Sequence, residues 1–356
     1  MRICLVTPRP PGGAHGNSVT AGRWAAILAD LGHEVELATD YRGQPAEVLV
    51  VLHARRSSGS LRRFREDHPA APAVLALTGT DLYPGLTDAD RPVLEMADRL
   101  VVLQPLGLAQ LPDDLRHRGS VIFQSATAAT AATAATAASG PSSSPPGTAA
   151  AGSGSFDVVL LANLRRVKDP LLAVRAARRL PPGSPVRVRH AGVVLDQLLG
   201  RLVEGEAAVN PHYEWLGELS RAEALRTLAA SRLLLLTSRT EGGANAISEA
   251  LVAGVPIVAT RIPGTVGILG EDYPGYVPVG DARALANLLV RVEADRGLHR
   301  ELARRCARLR PLVSPDRERA AWQRLLEGLG PRRPPMSPTA ESAGGPGLAR
   351  DHPTPG

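Results

Sequence analysis

Aromatic residues make up 3% of this 356-residue chain, and that shortage excludes the base-stacking platforms on which many proteins hold single-stranded nucleic acid. Cysteine is scarcer still. Cys4 and Cys306 stand at opposite ends, in no metal-ligand or redox spacing, which excludes a disulfide framework and a zinc site of the usual pattern. A reducing, cytoplasmic setting suits such a chain. No apolar run approaches the ~20 residues of a membrane helix, and the opening MRICLVTPRP, closed by proline, reads as a first strand instead of a signal segment. The formal net charge is +6, with basic residues scattered through helical stretches. That argues against nucleic acid and stable membrane association, and leaves small anionic substrates and a merely Arg-rich, Ala-rich composition as equal readings of the charge.

Apolar runs that read as strands alternate with longer amphipathic stretches, the pattern of βαβ units on parallel sheets. At this length one core usually divides, so the fold class is α/β, with two doubly wound Rossmann-like halves facing each other. The first occupies residues 1–124, its last strand expected at Val121–Phe123. Residues 125–155 read SATAATAATAATAASGPSSSPPGTAAAGSGS, without one large apolar side chain, and are expected to be a flexible linker. The second half spans 156–312, a helix over 313–329 is expected to pack back toward the first half, and 330–356, rich in proline and glycine, is expected to be disordered.

Chemistry concentrates where strands end. SRTEGGANAISEALVAGVP, Ser238–Pro256, sets a glycine turn and a short helix between two buried strands. Gly242 and Gly243 let backbone N–H groups approach an anion, with Ala244 and Asn245 leading into the helix N-terminus, which favours phosphate. Glu241 is placed to accept from sugar hydroxyls. Glu249 lies about five residues into the helix and suits a ribose, although on spacing alone the two are equally read as a loop carboxylate and a polar helix face. After the first strand, PPGGAHGN supplies Gly12, Gly13, His15 and Asn17, with Asn17 or Ser18 as a helix cap. HARRS, His53–Ser57, gathers His53, Arg55, Arg56 and Ser57 in one turn, donors for a compact oxyanion or a solvated helix start. Thr80 and Asp81 end the next strand, with Asp81 free to orient His53, take a hydroxyl or cap the next segment. The D-x-D at Asp88–Asp90 reads as a first-turn acid cluster, not a metal site.

The stretch around Glu241 and Glu249 resembles the E-x7-E signature of retaining GT-B glycosyltransferases of the family 4 type. The resemblance extends over Met1–Leu329 without the linker. It implies that Glu241 contacts the donor sugar near the reacting carbon and that Glu249 holds the ribose. ANLRRVKDP, Ala162–Pro170, matches the segment that carries a diphosphate-binding Arg and Lys. Lys168 matches the Lys, but Asn163 stands at the Arg position, which shifts that role to Arg165 or Arg166. Together PPGGAHGN, HARRS, LTGTDLY, LQPL, NLRRVKDP, EGGAN and GEDYPGYVPVGD resemble the selenosugar synthases of selenoneine biosynthesis. That likeness implies transfer from a UDP-sugar, typically UDP-N-acetylglucosamine, to selenophosphate, with release of UDP and phosphate. On this reading Glu241, Lys168, Arg165 and His53 are catalytic. Gly12, Gly13, Gly217, Gly242, Gly243, Ala244, Asn245 and Glu249 bind the donor, and His15, Asn17, Arg55, Arg56, Ser57, Thr80 and Asp81 bind the acceptor. No cofactor or metal is called for, since the UDP-sugar is a co-substrate. A hydroxyl-accepting transferase and a non-catalytic nucleotide-sugar binder are the competing readings, and the oligomeric state stays open.

Overall fold

The computed structural model describes residues 1–9, 16–83, 85–127 and 154–330. Among the described residues the strands form two all-parallel sheets of six. The first contains β1 (Arg2–Val6), β2 (Glu34–Ala38), β3 (Val48–Leu52), β4 (Ala73–Leu77), β5 (Arg99–Val102) and β6 (Gly119–Val121), in the order β2-β1-β3-β4-β5-β6. The second contains β7 (Phe156–Leu161), β8 (Val186–Ala191), β9 (Tyr213–Trp215), β10 (Leu233–Leu236), β11 (Ile257–Thr260) and β12 (Tyr276–Val277), in the order β12-β11-β10-β7-β8-β9. Central strands such as VLVVL and LLLL are buried at every position, as strands covered on both faces must be. The edge strand β2, EVELA, alternates exposed and half-buried residues.

Strand order fixes where ligands can enter. In an open parallel sheet the crevice forms where successive connections leave in opposite directions. In the first sheet that point lies between β1 and β3, and in the second between β7 and β10. The loops after these four strands face one another across the molecule.

Helices α1 (Gly16–Asp30), α2 (Ser58–Asp67) and α3 (Arg91–Glu95) serve the first sheet. The second has α4 (Pro170–Ala177), α5 (Gln197–Ala207), α6 (Arg221–Ala230), α7 (Asn245–Ala253), α8 (Pro263–Leu269), α9 (Ala282–Ala294) and α10 (Arg296–Leu309). The last helix, α11 (Pro315–Glu327), follows the second half in sequence but packs on α1: Trp322 meets Trp24 edge-on at 4.9 Å, and Leu325 and Leu326 join the same buried cluster as Leu28. Beneath it, the buried Glu318 carboxylate accepts from Arg23 Nε (2.9 Å), Trp24 Nε1 (2.7 Å) and Ser125 N (2.9 Å), and from the Ser125 hydroxyl. One residue on, Ala126 N donates to Val313 O at 3.1 Å, so the two passages of the chain between the halves run side by side.

Several expectations need correction. The first strand set ends at Gly119–Val121, not at Val121–Phe123. GSV carries little apolar signal, and Phe123 instead lies under the Arg317 guanidinium. Ser125 and Ala126 are buried against the α11 region and so do not begin a linker, whereas residues 128–153 and the tail from 331 lie outside the described residues. Helix α1 starts at Gly16, which puts Asn17 and Ser18 inside its first turn and not at its cap.

Candidate active site

The loops after β7 and β10 are fastened to each other. Thr237 Oγ1 donates to the carbonyl of Lys168 at 2.7 Å, and Lys168 closes a single 3-10 turn, Arg166–Lys168, ahead of α4. This brings the Lys168 ammonium onto Glu241 Oε1, which also accepts from Ser238 Oγ at 2.6 Å. Sequence separation between Lys168 and Glu241 is 73 residues, so only the parallel pairing of β7 with β10 makes them neighbours. Glu241 and Lys168 line one wall of a cleft of about 1010 Å³ between the two halves, a size suited to a nucleotide-sized ligand.

The glycines of the turn have a second use. A Cβ on Gly242 would stand 2.6 Å from the Thr78 carbonyl oxygen, and one on Gly243 2.7 Å from Leu103 Cβ. They allow the second half to touch the first at this rim. Gly243, Ala244 and Asn245 line the cleft, but Gly242 and Gly217 do not. For Gly242 close backbone packing replaces the expected ligand contact, and the Gly217 carbonyl is taken by Gly192 N at 2.9 Å. Gly264, missed in the sequence, is required for a similar reason, since its Cβ would fall 2.1 Å from the Glu241 carbonyl oxygen.

Helix α7 begins at Asn245 without a side-chain cap and ends at Gly254 in the left-handed region, φ 72°. Glu249 is buried in its second turn, where Arg221 Nη2 lies 2.8 Å from its Oε1. Arg221, the first residue of α6, also lines the cleft. Nothing in the spacing of the two glutamates announced this partner. Asn245 Oδ1 accepts from Arg23 Nη1 at 3.1 Å, a bond from α7 to α1 across the cleft.

The first half supplies the opposing wall from the loops after β1, β3 and β4. His53 ends β3 at φ 74°, a left-handed conformation uncommon for a side chain with a Cβ. Its Nε2 lies 3.1 Å from Thr80 Oγ1, and its buried Nδ1 has no hydrogen-bond partner, the Asp81 carboxylate being 3.9 Å away. Burial pushes the imidazole below its ordinary range, against the pull of Asp81 and with help from Arg56 and Arg55. At neutral pH it is uncharged. Arg165 is likewise pushed below its ordinary value, first by burial and then by Arg56 and Arg9, with Glu241 opposing.

Of the HARRS cluster, only His53 and Arg56 line the cleft. Arg55, expected beside Arg56 on an anion, instead forms a two-pronged pair with Asp90, Nε to Oδ1 at 2.7 Å and Nη2 to Oδ2 at 2.8 Å. This holds the Asp90 carboxyl far below the usual carboxylate range. Ser57 Oγ donates to Leu52 O at 2.7 Å and is buried. Asp81 is fully buried and accepts from the backbone N–H of Ala54 (3.0 Å), Thr78 (3.0 Å) and Gly79 (2.8 Å), so it organises the turn instead of meeting a substrate. Thr80 and Asn17 do line the cleft. Gly12, Gly13 and His15 lie outside the described residues. Between the candidates that follow β7, Arg165 lines the cleft while Arg166 is exposed, near Asp196 at 3.7 Å. Arg9, Arg23 and Arg221 line it too and escaped the sequence reading.

Residues 149–308 match the family described as glycosyl transferases group 1. A sucrose-phosphate synthase from Thermosynechococcus elongatus has the same fold, with a TM-score of 0.71 and 16% identity, over 92% of this chain and 98% of that one. Anabaena HepE in complex with UDP and glucose superposes with a TM-score of 0.66 at 14% identity, over 92% of this chain and 100% of its own. Among curated proteins, N-acetyl-alpha-D-glucosaminyl L-malate synthase of Bacillus anthracis is 34% identical over 79 residues, 22% of this chain and 21% of that protein. A glycosyltransferase 1 domain-containing protein of Xenopus tropicalis is 28% identical over 120 residues, 33% and 35% of the two chains. The chain thus aligns with about a third or less of the length of these two relatives. The family match is confined to residues 149–308, and the chain as a whole has the GT-B fold of these glycosyltransferase structures.

Proposed function

We propose that this protein transfers a sugar from a UDP-sugar, UDP-N-acetylglucosamine in the first instance, to selenophosphate, and so makes a 1-selenosugar. The observation that carries the reading is the Lys168–Glu241–Ser238 group at the switch point of the second sheet, facing a cationic wall in the first. Lys168 neutralises the leaving diphosphate, and the open N-terminus of α7 adds backbone donors on the same side. Glu241 keeps Oε2 without a partner among the described residues for a hydroxyl of the sugar. Glu249 takes the ribose when Arg221 yields it. The anomeric C–O bond breaks with its electron pair leaving on UDP, selenium forms the C–Se bond, and water then cleaves Se–P to release phosphate.

Two neighbours support the donor assignment. HepE was seen with UDP and glucose, and the Bacillus relative is named for an N-acetylglucosaminyl product. The motif set resembling selenosugar synthases supports the acceptor. A second reading, transfer to a hydroxyl, draws support from His53, an uncharged imidazole on the cleft wall able to receive the hydroxyl proton. Incubating the purified full chain with UDP-N-acetylglucosamine and selenophosphate, with products read by mass spectrometry and UDP quantified, separates them. A selenium-containing sugar formed in step with UDP supports the proposal. UDP release only with hydroxyl acceptors favours the second reading, and absence of turnover with any donor leaves a nucleotide-sugar binder.

A further inference from the structure

Three guanidinium groups at the two switch points have no part in the transfer described above, although Arg165 was expected on the donor diphosphate. Arg9 follows β1 and Arg56 follows β3, so they flank the switch point of the first sheet, while Arg165 follows β7 and flanks that of the second. All three line the cleft, and none has a hydrogen-bond or ion-pair partner among the described residues. Neighbouring cations are engaged: Arg55 by Asp90, Lys168 by Glu241, Arg221 by Glu249 and Arg23 by Glu318. Of the carboxylates on the cleft walls, Glu241 and Glu249 are therefore already spoken for, leaving Glu218 beside α6. Arg9 and Arg56 are exposed and Arg165 is half-buried, with Glu241 offsetting part of the repulsion that Arg165 feels from the other two. Arg9 and Arg56 face Arg165 across the cleft that all three line.

We infer that Arg9, Arg56 and Arg165 form one oxyanion subsite that grips a tetrahedral, phosphate-class group on the acceptor from both halves of the chain at once. This rests on the glycosyl-transfer reading above and deepens its acceptor side. Guanidinium forks pair with phosphate oxygens two at a time, a geometry that ammonium groups do not match. Thr80 lies on the same wall, with its hydroxyl 3.1 Å from His53 Nε2. Lys168 stays with the donor, so acceptor and leaving group have separate cations.

The test is a calorimetric titration of inorganic phosphate into the full chain saturated with UDP, repeated with glucose 6-phosphate. Phosphate is expected to bind beside UDP, and Arg9→Ala and Arg56→Ala each to weaken it at least about tenfold while UDP affinity changes by less than about twofold. Arg9 and Arg56 are exposed and have no partner among the described residues, so their removal leaves folding intact; for the half-buried Arg165, Arg165→Lys keeps the charge and loses the fork. Binding of either phosphate probe supports the subsite, and the tighter probe names its source, a free oxyanion or a phosphorylated acceptor. Competition between phosphate and UDP, loss of UDP affinity in step with phosphate affinity, or absence of phosphate binding overturns it. Phosphate bound without any selenosugar made sinks the selenium reading alone. Selenosugar made without arginine-dependent phosphate binding sinks the subsite alone.

Discussion

The two sheets have equal strand counts and opposite manners of meeting the cleft. The second presents a lysine and two carboxylates, each already held by a neighbour of opposite charge or by a hydroxyl. The first presents arginines and an uncharged histidine, with its carboxylates turned inward: Asp81 binds three backbone N–H groups, and Asp90 binds Arg55 and Thr87. The second wall is thus mostly paired before a ligand arrives, Arg165 and Glu218 apart, and the first awaits an anion. Similar architecture does not imply similar electrostatics, because the loops and not the strands carry the charge.

The largest effect should come from erasing the link that seats the last helix on the first half. Glu318→Ala leaves Arg23, Trp24 Nε1 and Ser125 without their shared buried acceptor. It should cost about 3–5 kcal/mol in urea unfolding, the usual result of removing one member of a buried charged network. Next, Glu241→Gln should lower the rate of UDP release about 10²–10³-fold with little change in stability. A comparable loss of folding would make Glu241 structural and break the contrast between the walls.

A third difference lies in pH. His190, buried in the second half between Tyr213 and the Ala162 carbonyl, is pushed down to about 4 by burial. The unfolded chain therefore takes up a proton near pH 6.5 that the folded one refuses until about pH 4. Stability should be level above pH 6.5 and fall by up to about 3 kcal/mol on acidification between these values. His190→Gln should flatten that slope. The smallest effect tests the neighbouring arginines. Arg55→Ala should cost no more than about 1 kcal/mol, with phosphate binding unchanged, and Arg56→Ala the reverse. Because Arg55 depresses Asp90, the Arg55 contribution should be complete above the ordinary carboxylate range near pH 4 and vanish as the pH falls below it.

Much of this was legible because strands buried on both faces are continuous apolar runs. Val48–Leu52, VLVVL, is such a run and is buried at every position. The two-residue β12 is too short to leave a pattern. Glu241 and Lys168 were readable as motif residues, but their contact needs β10 beside β7, and strand order is not written in any local stretch. Adjacent arginines in HARRS are equivalent on paper. Only Asp90, 35 residues further along, distinguishes Arg55 from Arg56. Arg9 was overlooked for the same reason, since its importance comes from sitting at a switch point that the order of strands creates.

The paired passages at Ala126 and Val313 have a mechanical meaning. A body tethered by two strands at one edge can swing about that edge but cannot slide along or twist freely over its neighbour. The halves are also joined at Arg23–Asn245 and Ser248–Gln124, so any opening of the cleft has to part those bonds.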